Sequence, residues 1–172
     1  SGAPAMAAGG LGADKAQRRG RFAAATIRKA LPAGVWRIAS AHEPEAMNEA
    51  ALGWLLAGYI FDRYADSTPP KAALVTPEGV DAARLERIAA SEARTRTLIN
   101  TPASDMGPSH LAAAAQDLAQ AFDADITVID GGDLERDFPM IHAVGRAASD
   151  APRLIDMRWG TKGPTLTLVG KG

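Results

Sequence analysis

Short apolar segments alternate along this chain with longer segments of helical periodicity, and this alternation restricts the possible folds more than any other feature. Strands are predicted at 35–39, 72–75, 125–129, 153–159 and 165–169. Helices are predicted at 14–30, 43–64, 80–99, 109–122 and 133–138, with a mixed segment at 140–148. Because only 5% of the residues are aromatic, aliphatic side chains must fill the core. The pattern therefore predicts the α/β class, with a mixed sheet covered by helices.

The predicted ends of several elements rest on particular residues. Asp14 is expected to cap the first helix, and Ser109 the helix that follows Gly107-Pro108. The glycine-containing turn 160–164 is compatible with an antiparallel pair formed by the strands on either side of it. The helix 80–99 carries many charged residues, as do helices that lie across a surface or bridge two domains. We therefore place a domain boundary along it.

The composition restricts function and location. A formal net charge of -1 gives no general attraction to nucleic acid or anionic lipid, so neither a nucleic-acid partner nor a membrane partner is expected. The sequence has no cysteine, which excludes disulfides, thiolate metal sites and cysteine catalysis. The segment 1–12 lacks the layout of a signal peptide, and no apolar run reaches the roughly 18–20 residues that span a bilayer. We expect a cytoplasmic protein.

The last residues carry the main candidate for a chemical role. The predicted strand 165–169 leads directly into Gly170-Lys171-Gly172, and ligands of α/β proteins bind beyond the carboxyl ends of strands. A P-loop is excluded, because Thr165 stands where that motif has its first glycine and Gly172 where it has Ser or Thr. Two interpretations of Lys171 remain. It is a solvated lysine on a turn, or a ligand that binds a divalent cation through its neutral amine.

Other ionisable residues are weaker candidates. His42 and His142 form no HExxH-type pair, and His110 follows the expected helix cap, so each histidine is assigned a structural role. Arg146 is assigned either to a catalytic cleft or to local hydrogen bonds of its own loop. The acidic cluster around the Gly131-Gly132 turn lacks EF-hand spacing and is assigned turn and cap roles; it comprises Asp130, Asp133, Glu135 and Asp137.

Three motifs occur in the order expected of one known family. They are Asn100-Thr101-Pro102, the segment 138–147 (FPMIHAVGRA) and the segment 168–172 (LVGKG). In these motifs the chain resembles the leucyl aminopeptidase family of metallopeptidases over 82–172, with weaker agreement over 31–64. Each motif alone is a weak signal, whereas the combination in this order is specific.

The resemblance implies a two-domain α/β aminopeptidase, with 1–79 as part of the N-terminal domain, 80–99 as a linker helix and 100–172 as the start of the catalytic domain. Members are cytosolic hexamers that remove N-terminal residues, such as leucine, from peptides by means of two divalent metal ions. Manganese or zinc, with magnesium as a further option, would suit the ligand set. The resemblance implies that Lys171 is one metal ligand. It places no catalytic residue within the chain and leaves the substrate-binding residues unknown.

The family's other metal ligands and its catalytic groups follow the position of Lys171, so we expect an incomplete chain that is inactive by itself. The alternative hypothesis is a non-catalytic α/β module, regulatory or protein-interacting, whose polar helix 80–99 binds a partner. The residues beyond Gly172 in the intact gene product distinguish the two hypotheses. An aspartate soon after Gly172 and a later acidic cluster would favour the peptidase.

Overall fold

Helices and two short sheets form the fold. The computed structural model describes residues 5–10, 12–13, 21–40 and 42–172, and within them each sheet has two strands. The α/β class is confirmed, and among the described residues the parallel and antiparallel pairings lie in different sheets. Two compact units divide the chain, Ser1–Asn100 (unit 1) and Thr101–Gly172 (unit 2). No helix in the described part is long and apolar enough to cross a membrane.

Unit 1 is a short parallel pair of strands covered by helices. Its described elements are α1 (Ala23–Ala30), β1 (Gly34–Trp36), α2 (Pro44–Leu56), β2 (Ala72–Leu74) and α3 (Ala82–Asn100). Strand β1 pairs with β2 in the register Gly34↔Ala72, and such parallel pairing requires a crossover connection, which contains α2. Helix α2 packs against both α1 and α3. The buried hydrophobic side chains of this core are Ala24, Ala51, Trp54, Ala57, Ala72 and Leu85.

Arg28, in α1, donates hydrogen bonds to α2, to β2 and to the segment just before β2. Its Nη1 donates to the Trp54 carbonyl at 2.6 Å, its Nε to the Ala72 carbonyl at 3.2 Å, and its Nη2 to the Pro70 carbonyl at 3.4 Å. The guanidinium carbon also lies 5.8 Å from the centroid of the Trp54 ring, within cation–π range. Partial burial lowers the pKa of Arg28 from its usual value. The three planar donors of an arginine suit this arrangement, which a lysine cannot reproduce.

The Arg28 contacts explain why α2 is shorter than the sequence predicts. The predicted helix 43–64 is wrong beyond Leu56, where α2 ends. Because Arg28 binds the Trp54 carbonyl, the Gly58 N–H donates instead to the Leu55 carbonyl, at 2.9 Å, and the helix tightens and stops. A Cβ at Gly58 would lie 2.8 Å from Arg28 Nη1, so only glycine leaves room for the guanidinium there.

We expect the substitution Arg28→Lys to destabilise the protein by about 2–4 kcal/mol. A lysine ammonium cannot reach all three carbonyls, and each lost hydrogen bond from a charged donor removes about 1.5–3 kcal/mol at most. The free energy of unfolding is measured by urea titration. The exposed neighbour supplies the control, Lys29→Arg, for which a change within about 0.5 kcal/mol is expected. Equal effects of the two exchanges would show that the three carbonyl bonds contribute nothing to stability.

Unit 2 is an antiparallel pair of strands with three helices among its described residues. The elements are α4 (Pro108–Phe122), β3 (Asp125–Ile129), α5 (Gly131–Asp137), α6 (Pro139–Gly145) and β4 (Leu154–Arg158). Strand β3 pairs with β4 from Asp125↔Arg158 to Ile129↔Leu154. Leu134 of α5 has no exposed surface, and Ala112 and Ala119 of α4 are also buried. The unit therefore buries mostly small side chains around one large one.

The predicted strand 165–169 is wrong. In the structure 164–172 has no regular secondary structure, and Leu166, Leu168 and Val169 are 81%, 86% and 94% exposed. The expected hairpin across 160–164 is wrong as well, since β4 pairs with β3 instead. The alternation of Thr and Leu fits a strand, but a strand also needs a neighbour for its backbone N–H and C=O groups and a surface for its apolar face. Neither is provided by the described residues.

Other predicted boundaries change less. The first predicted helix is seen as Ala23–Ala30, while its expected cap, Asp14, lies outside the described residues. The mixed segment 140–148 contains a regular helix, α6. Ser109 is not the cap of α4, because the helix begins at Pro108 with Gly107 before it. Proline fits this first position, where its missing N–H would have no partner within the helix.

The beginning of α4 is capped from a distant loop. The backbone N–H and the hydroxyl of Ser109 both donate to Asp150 Oδ2, at 2.8 and 2.7 Å. A Cβ at Gly107 would lie 2.5 Å from the same oxygen, so glycine is needed for this approach. The hydrogen bonds from Ser109, assisted by the charges of Arg153 and His110, hold the pKa of Asp150 below its usual value. A carboxylate at a helix N-terminus is favoured further by the helix dipole.

We expect Asp150→Asn to lower the urea midpoint at pH 7, because an amide carries no charge to assist the two bonds from Ser109. The pKa of Asp150 is lowered on folding, so its contribution is complete above the unfolded pKa of about 3.9 and is lost as pH falls through the folded value. The gap between wild type and variant should therefore close below about pH 4. Asp117→Asn, at an exposed position of α4, is the control and should show no such gap. A gap that persists unchanged in acid would contradict the assignment.

Candidate functional site

Lys171 lies exposed at the end of unit 2. It follows the irregular segment 164–169 and has an exposed glycine on either side. A Cβ at Gly172 would lie 2.6 Å from Leu111 Cδ2, which places the last residue against the first turns of α4. The lysine is thus accessible to a ligand, with no regular strand leading into it.

The described residues do not form a complete metal centre. Among them no group of three or more His, Asp or Glu side chains is close enough to hold a metal ion. Lys171 is therefore a single candidate ligand without a described partner, and a stable site for a divalent cation needs several ligands. No catalytic step can be built from these residues alone.

The three histidines contact their own neighbourhoods. His42 Nε2 lies 2.6 Å from Ser40 Oγ, and His110 Nδ1 accepts the Gly107 N–H at 3.3 Å. His142 Nδ1, in α6, lies 3.9 Å from Glu135 Oε1, in the preceding helix α5. These contacts agree with the structural roles expected of the histidines.

Arginine side chains lie next to three of the four carboxylates of the acidic cluster. Arg136 lies 2.8 Å from Asp133 and 2.7 Å from Asp137, and its hydrogen bonds lower the pKa of Asp137. Asp130 Oδ2 lies 3.8 Å from Arg153 Nε, a buried nitrogen that has no hydrogen-bond partner among the described residues. Carboxylates neutralised in this way have little capacity to bind a cation. The expected turn at Gly131-Gly132 is wrong, because α5 begins at Gly131, and Asp130 precedes it without a side-chain cap hydrogen bond.

Arg146 follows the end of α6. Its backbone N–H donates to the His142 carbonyl at 2.9 Å, while its side chain is exposed. Within the described residues the guanidinium forms no ion pair. These contacts therefore do not distinguish a role in a catalytic cleft from a role in local hydrogen bonds. Arg146 accordingly stays a candidate for a cleft completed by other residues.

Comparison with known proteins connects both units to one family. The family model described as "M17 aminopeptidase, N-terminal domain" matches residues 5–77, and that described as "Cytosol aminopeptidase family, catalytic domain" matches residues 93–172. The chain belongs to the cytosol aminopeptidase family. The suspected resemblance is confirmed, and the matches extend it beyond 31–64 in the first half. The placement of a domain boundary along 80–99 stays a prediction; the two compact units divide after Asn100.

Curated and solved members of the cytosol aminopeptidase family show how much of it this chain represents. A probable cytosol aminopeptidase of Roseiflexus castenholzii is 33% identical over 153 residues, which are 78% of this chain and 31% of that protein. The crystal structure of the cytosol aminopeptidase of Coxiella burnetii superposes with a TM-score of 0.77 at 37% identity, over 82% of this chain and 31% of that one. The chain thus spans about a third of the length of these relatives.

A third relative was solved with a metal. The bottromycin maturation enzyme BotP, in complex with Mn, superposes with a TM-score of 0.64 at 27% identity, over 80% of this chain and 32% of that one. Together with the two family models, this likeness places both units within the cytosol aminopeptidase fold.

Proposed function

We propose that the intact protein is a metal-dependent aminopeptidase that removes N-terminal amino acids, such as leucine, from peptides. The observation that carries this proposal is the match of the chain to both domain models of one aminopeptidase family, in the correct order along the sequence. The superposition on a cytosol aminopeptidase over 82% of the chain supports it. Peptides with a free N-terminus are the proposed substrates, and a cytoplasmic homo-hexamer is the proposed form.

We propose Lys171 as one ligand of a centre that holds two divalent metal ions. The proposal rests on the order of the motifs that end in 168–172 and on the exposure of the lysine. The complex of BotP with Mn favours manganese, and zinc or magnesium would suit the same kind of site. A pair of such ions supplies an acidified water and a polarised peptide carbonyl when bound. Within this chain, Lys171 would contribute its amine in the neutral form, which a neighbouring cation favours.

The 172-residue chain by itself should lack activity, because a single ligand does not retain two metals. We propose that residues outside the chain supply the remaining ligands and the catalytic groups.

The proposal is tested by release of leucine from a chromogenic leucyl amide. Metal-free intact protein should be inactive, and addition of manganese should restore turnover; the 172-residue chain assayed in parallel should remain inactive under both conditions. If the metal-loaded intact protein releases no leucine and no other N-terminal residue, the peptidase assignment fails. A non-catalytic module, whose helix α3 binds a partner, would then be the better explanation.

A further inference from the structure

Unit 1 contains a pocket between the end of α2 and one face of α3. Its volume is about 470 Å³, enough for a small organic molecule. We call it the α2–α3 pocket. Its apolar lining consists of Leu55, Leu56, Ile60, Ala89, Ala90 and Ala93. Because the three alanines of α3 have short side chains, an aliphatic group can lie directly on the helix.

Four charged side chains also line the α2–α3 pocket, and only two of them neutralise each other. Arg96 Nε donates to Glu92 Oε1 at 3.0 Å, and its guanidinium carbon lies 5.8 Å from the centroid of the Tyr59 ring. Arg28 and Glu86 form no ion pair with any residue in the described ranges. The pocket therefore presents one unpaired cation and one unpaired carboxylate beside an apolar surface.

The contacts of Arg28 with the protein do not use all its capacity. A guanidinium has five N–H donors, and the three carbonyl bonds described above occupy three of them. Carbonyl oxygens accept hydrogen bonds but carry no net charge, so the positive charge stays without a counter-ion among the described residues. A half-buried, uncompensated guanidinium attracts a carboxylate more strongly than a fully hydrated one does.

We propose that the α2–α3 pocket binds a free amino acid with an apolar side chain. The carboxylate of the ligand pairs with Arg28, its ammonium with Glu86, and its side chain lies on the alanines of α3. A zwitterion of this kind matches both unpaired charges and the apolar lining at once, whereas a simple anion would leave Glu86 unpaired and opposed to it. The residues that line this pocket belong to unit 1, whereas the proposed metal ligand Lys171 belongs to unit 2.

The pocket is connected to the end of α3 through Tyr59. The Tyr59 hydroxyl accepts a hydrogen bond from Asn100 Nδ2 at 3.1 Å and lies 3.3 Å from Thr97 Oγ1. The Arg96 guanidinium stacks over the ring of the same tyrosine. Because Tyr59 itself lines the pocket, a ligand that moves this ring would change the contacts of Asn100, the last residue of unit 1. An aminopeptidase releases free amino acids. Under the proposed function, the ligand of this pocket would therefore be a molecule of the same class as the reaction product, and its binding would depend on the concentration of product.

Calorimetric titration of L-leucine into the intact, chelator-stripped protein tests the proposal. Removing metal eliminates leucine binding that depends on the proposed metal centre, and the substitutions described below show whether the remaining heat comes from the α2–α3 pocket. We expect a Kd on the order of 1 mM, the scale of a small ligand in an open pocket. Leucinamide lacks the carboxylate and N-acetylleucine lacks the ammonium, and each should bind at least about tenfold more weakly, as loss of a charge-assisted contact requires. Tighter binding of leucyl-leucine than of leucine would assign the site to peptides instead.

Two substitutions locate the binding. Glu86→Gln removes the proposed ammonium partner, and Ala90→Phe fills the pocket from an exposed helical position; each should weaken leucine binding by about tenfold or more. Their matched controls are Glu78→Gln and Ala83→Phe, exposed positions that do not line the pocket.

Absence of saturable heat with L-leucine, or wild-type affinity in Glu86→Gln, overturns the proposal even if Ala90→Phe fails to fold. Aminopeptidase activity is assayed separately in the manganese-loaded protein, so a failure of leucine binding leaves the proposed reaction untouched. Conversely, leucine binding in a protein without peptidase activity would uphold the pocket and reject the proposed function.

Discussion

Replacing Lys171 with Met should lower kcat of the intact protein about a hundredfold or more. Each tenfold in rate corresponds to about 1.36 kcal/mol, and a metal ion supplies several kcal/mol of charge stabilisation that depends on its full ligand set. A thioether is a poor ligand for the hard or borderline cations proposed here, so bound metal should fall together with the rate. Turnover of a leucyl amide and the metal content of the dialysed protein are the two measurements.

Lys162→Met provides the matched control for this experiment. Lys162 is also an exposed lysine of unit 2 next to a glycine, so the same exchange there tests the effect of losing one surface charge. It should leave kcat, metal content and stability unchanged. Should Lys171→Met retain both full activity and full metal content, Lys171 would be a solvated lysine on a turn, which is the other interpretation that its sequence context allows.

Replacing Leu134 with Ala should destabilise the protein by about 2–5 kcal/mol, the range for truncation of a buried leucine. Leu134 is the one large side chain in the described residues with less than 2% of its surface exposed, at 0%. It belongs to α5, which is only 7 residues long and cannot be stable without packing. The loss of buried contacts should therefore affect the helix as well as the core, and urea unfolding measures both through one transition.

The control for Leu134 is the same exchange at Leu168, which is 86% exposed. Leu168→Ala should change the free energy of unfolding by less than about 0.5 kcal/mol, as exposed substitutions do. If the two variants lose equal stability, then the irregular segment 164–169 is packed in solution, and the core of unit 2 is distributed differently from the arrangement around α5.

The sequence predicts well those elements whose partners need not be known. Strand β3 forms at the predicted 125–129, and the strand ends directly before helix α5, which begins at Gly131. The predicted helix 80–99 agrees closely with α3, which begins at Ala82 and ends at Asn100. The segment 165–169 has an equally good strand pattern, yet no strand forms there among the described residues. A pattern of this kind indicates which backbone conformation a segment favours, but it does not supply the neighbouring strand.

The contacts that hold each unit together could not be predicted from local patterns. Arg28 binds the Ala72 carbonyl 44 residues away, and Asp150 caps a helix at Ser109, 41 residues away. In the sequence Arg28 is one of several basic residues of a predicted helix, and Asp150 is a single acidic residue two positions before a proline. Only Gly58 and Gly107 offered a signal, because a glycine beside a helix end permits a close approach.

The proposed role of Lys171 has a different origin. Spacing and charge leave the two interpretations of this lysine open, and the order of three motifs selects one of them. The structure adds exposure and the absence, within the described ranges, of a carboxylate cluster around it. Family membership is therefore well supported by this chain, while the chemistry depends on residues that experiments on the intact protein must identify.

The span between Arg28 and Ala72 has a consequence while the protein is being made. On the ribosome, β1 is translated before β2, and a parallel strand cannot pair until its partner has left the exit tunnel. At about 5–20 residues per second, translation of the intervening 44 residues takes roughly two to nine seconds. During that interval the nascent chain carries a complete α1 and an open strand edge, which is the kind of surface that promotes aggregation and that chaperones counteract. A pause in translation after Asn100 has emerged would let unit 1, including α3, close before unit 2 follows.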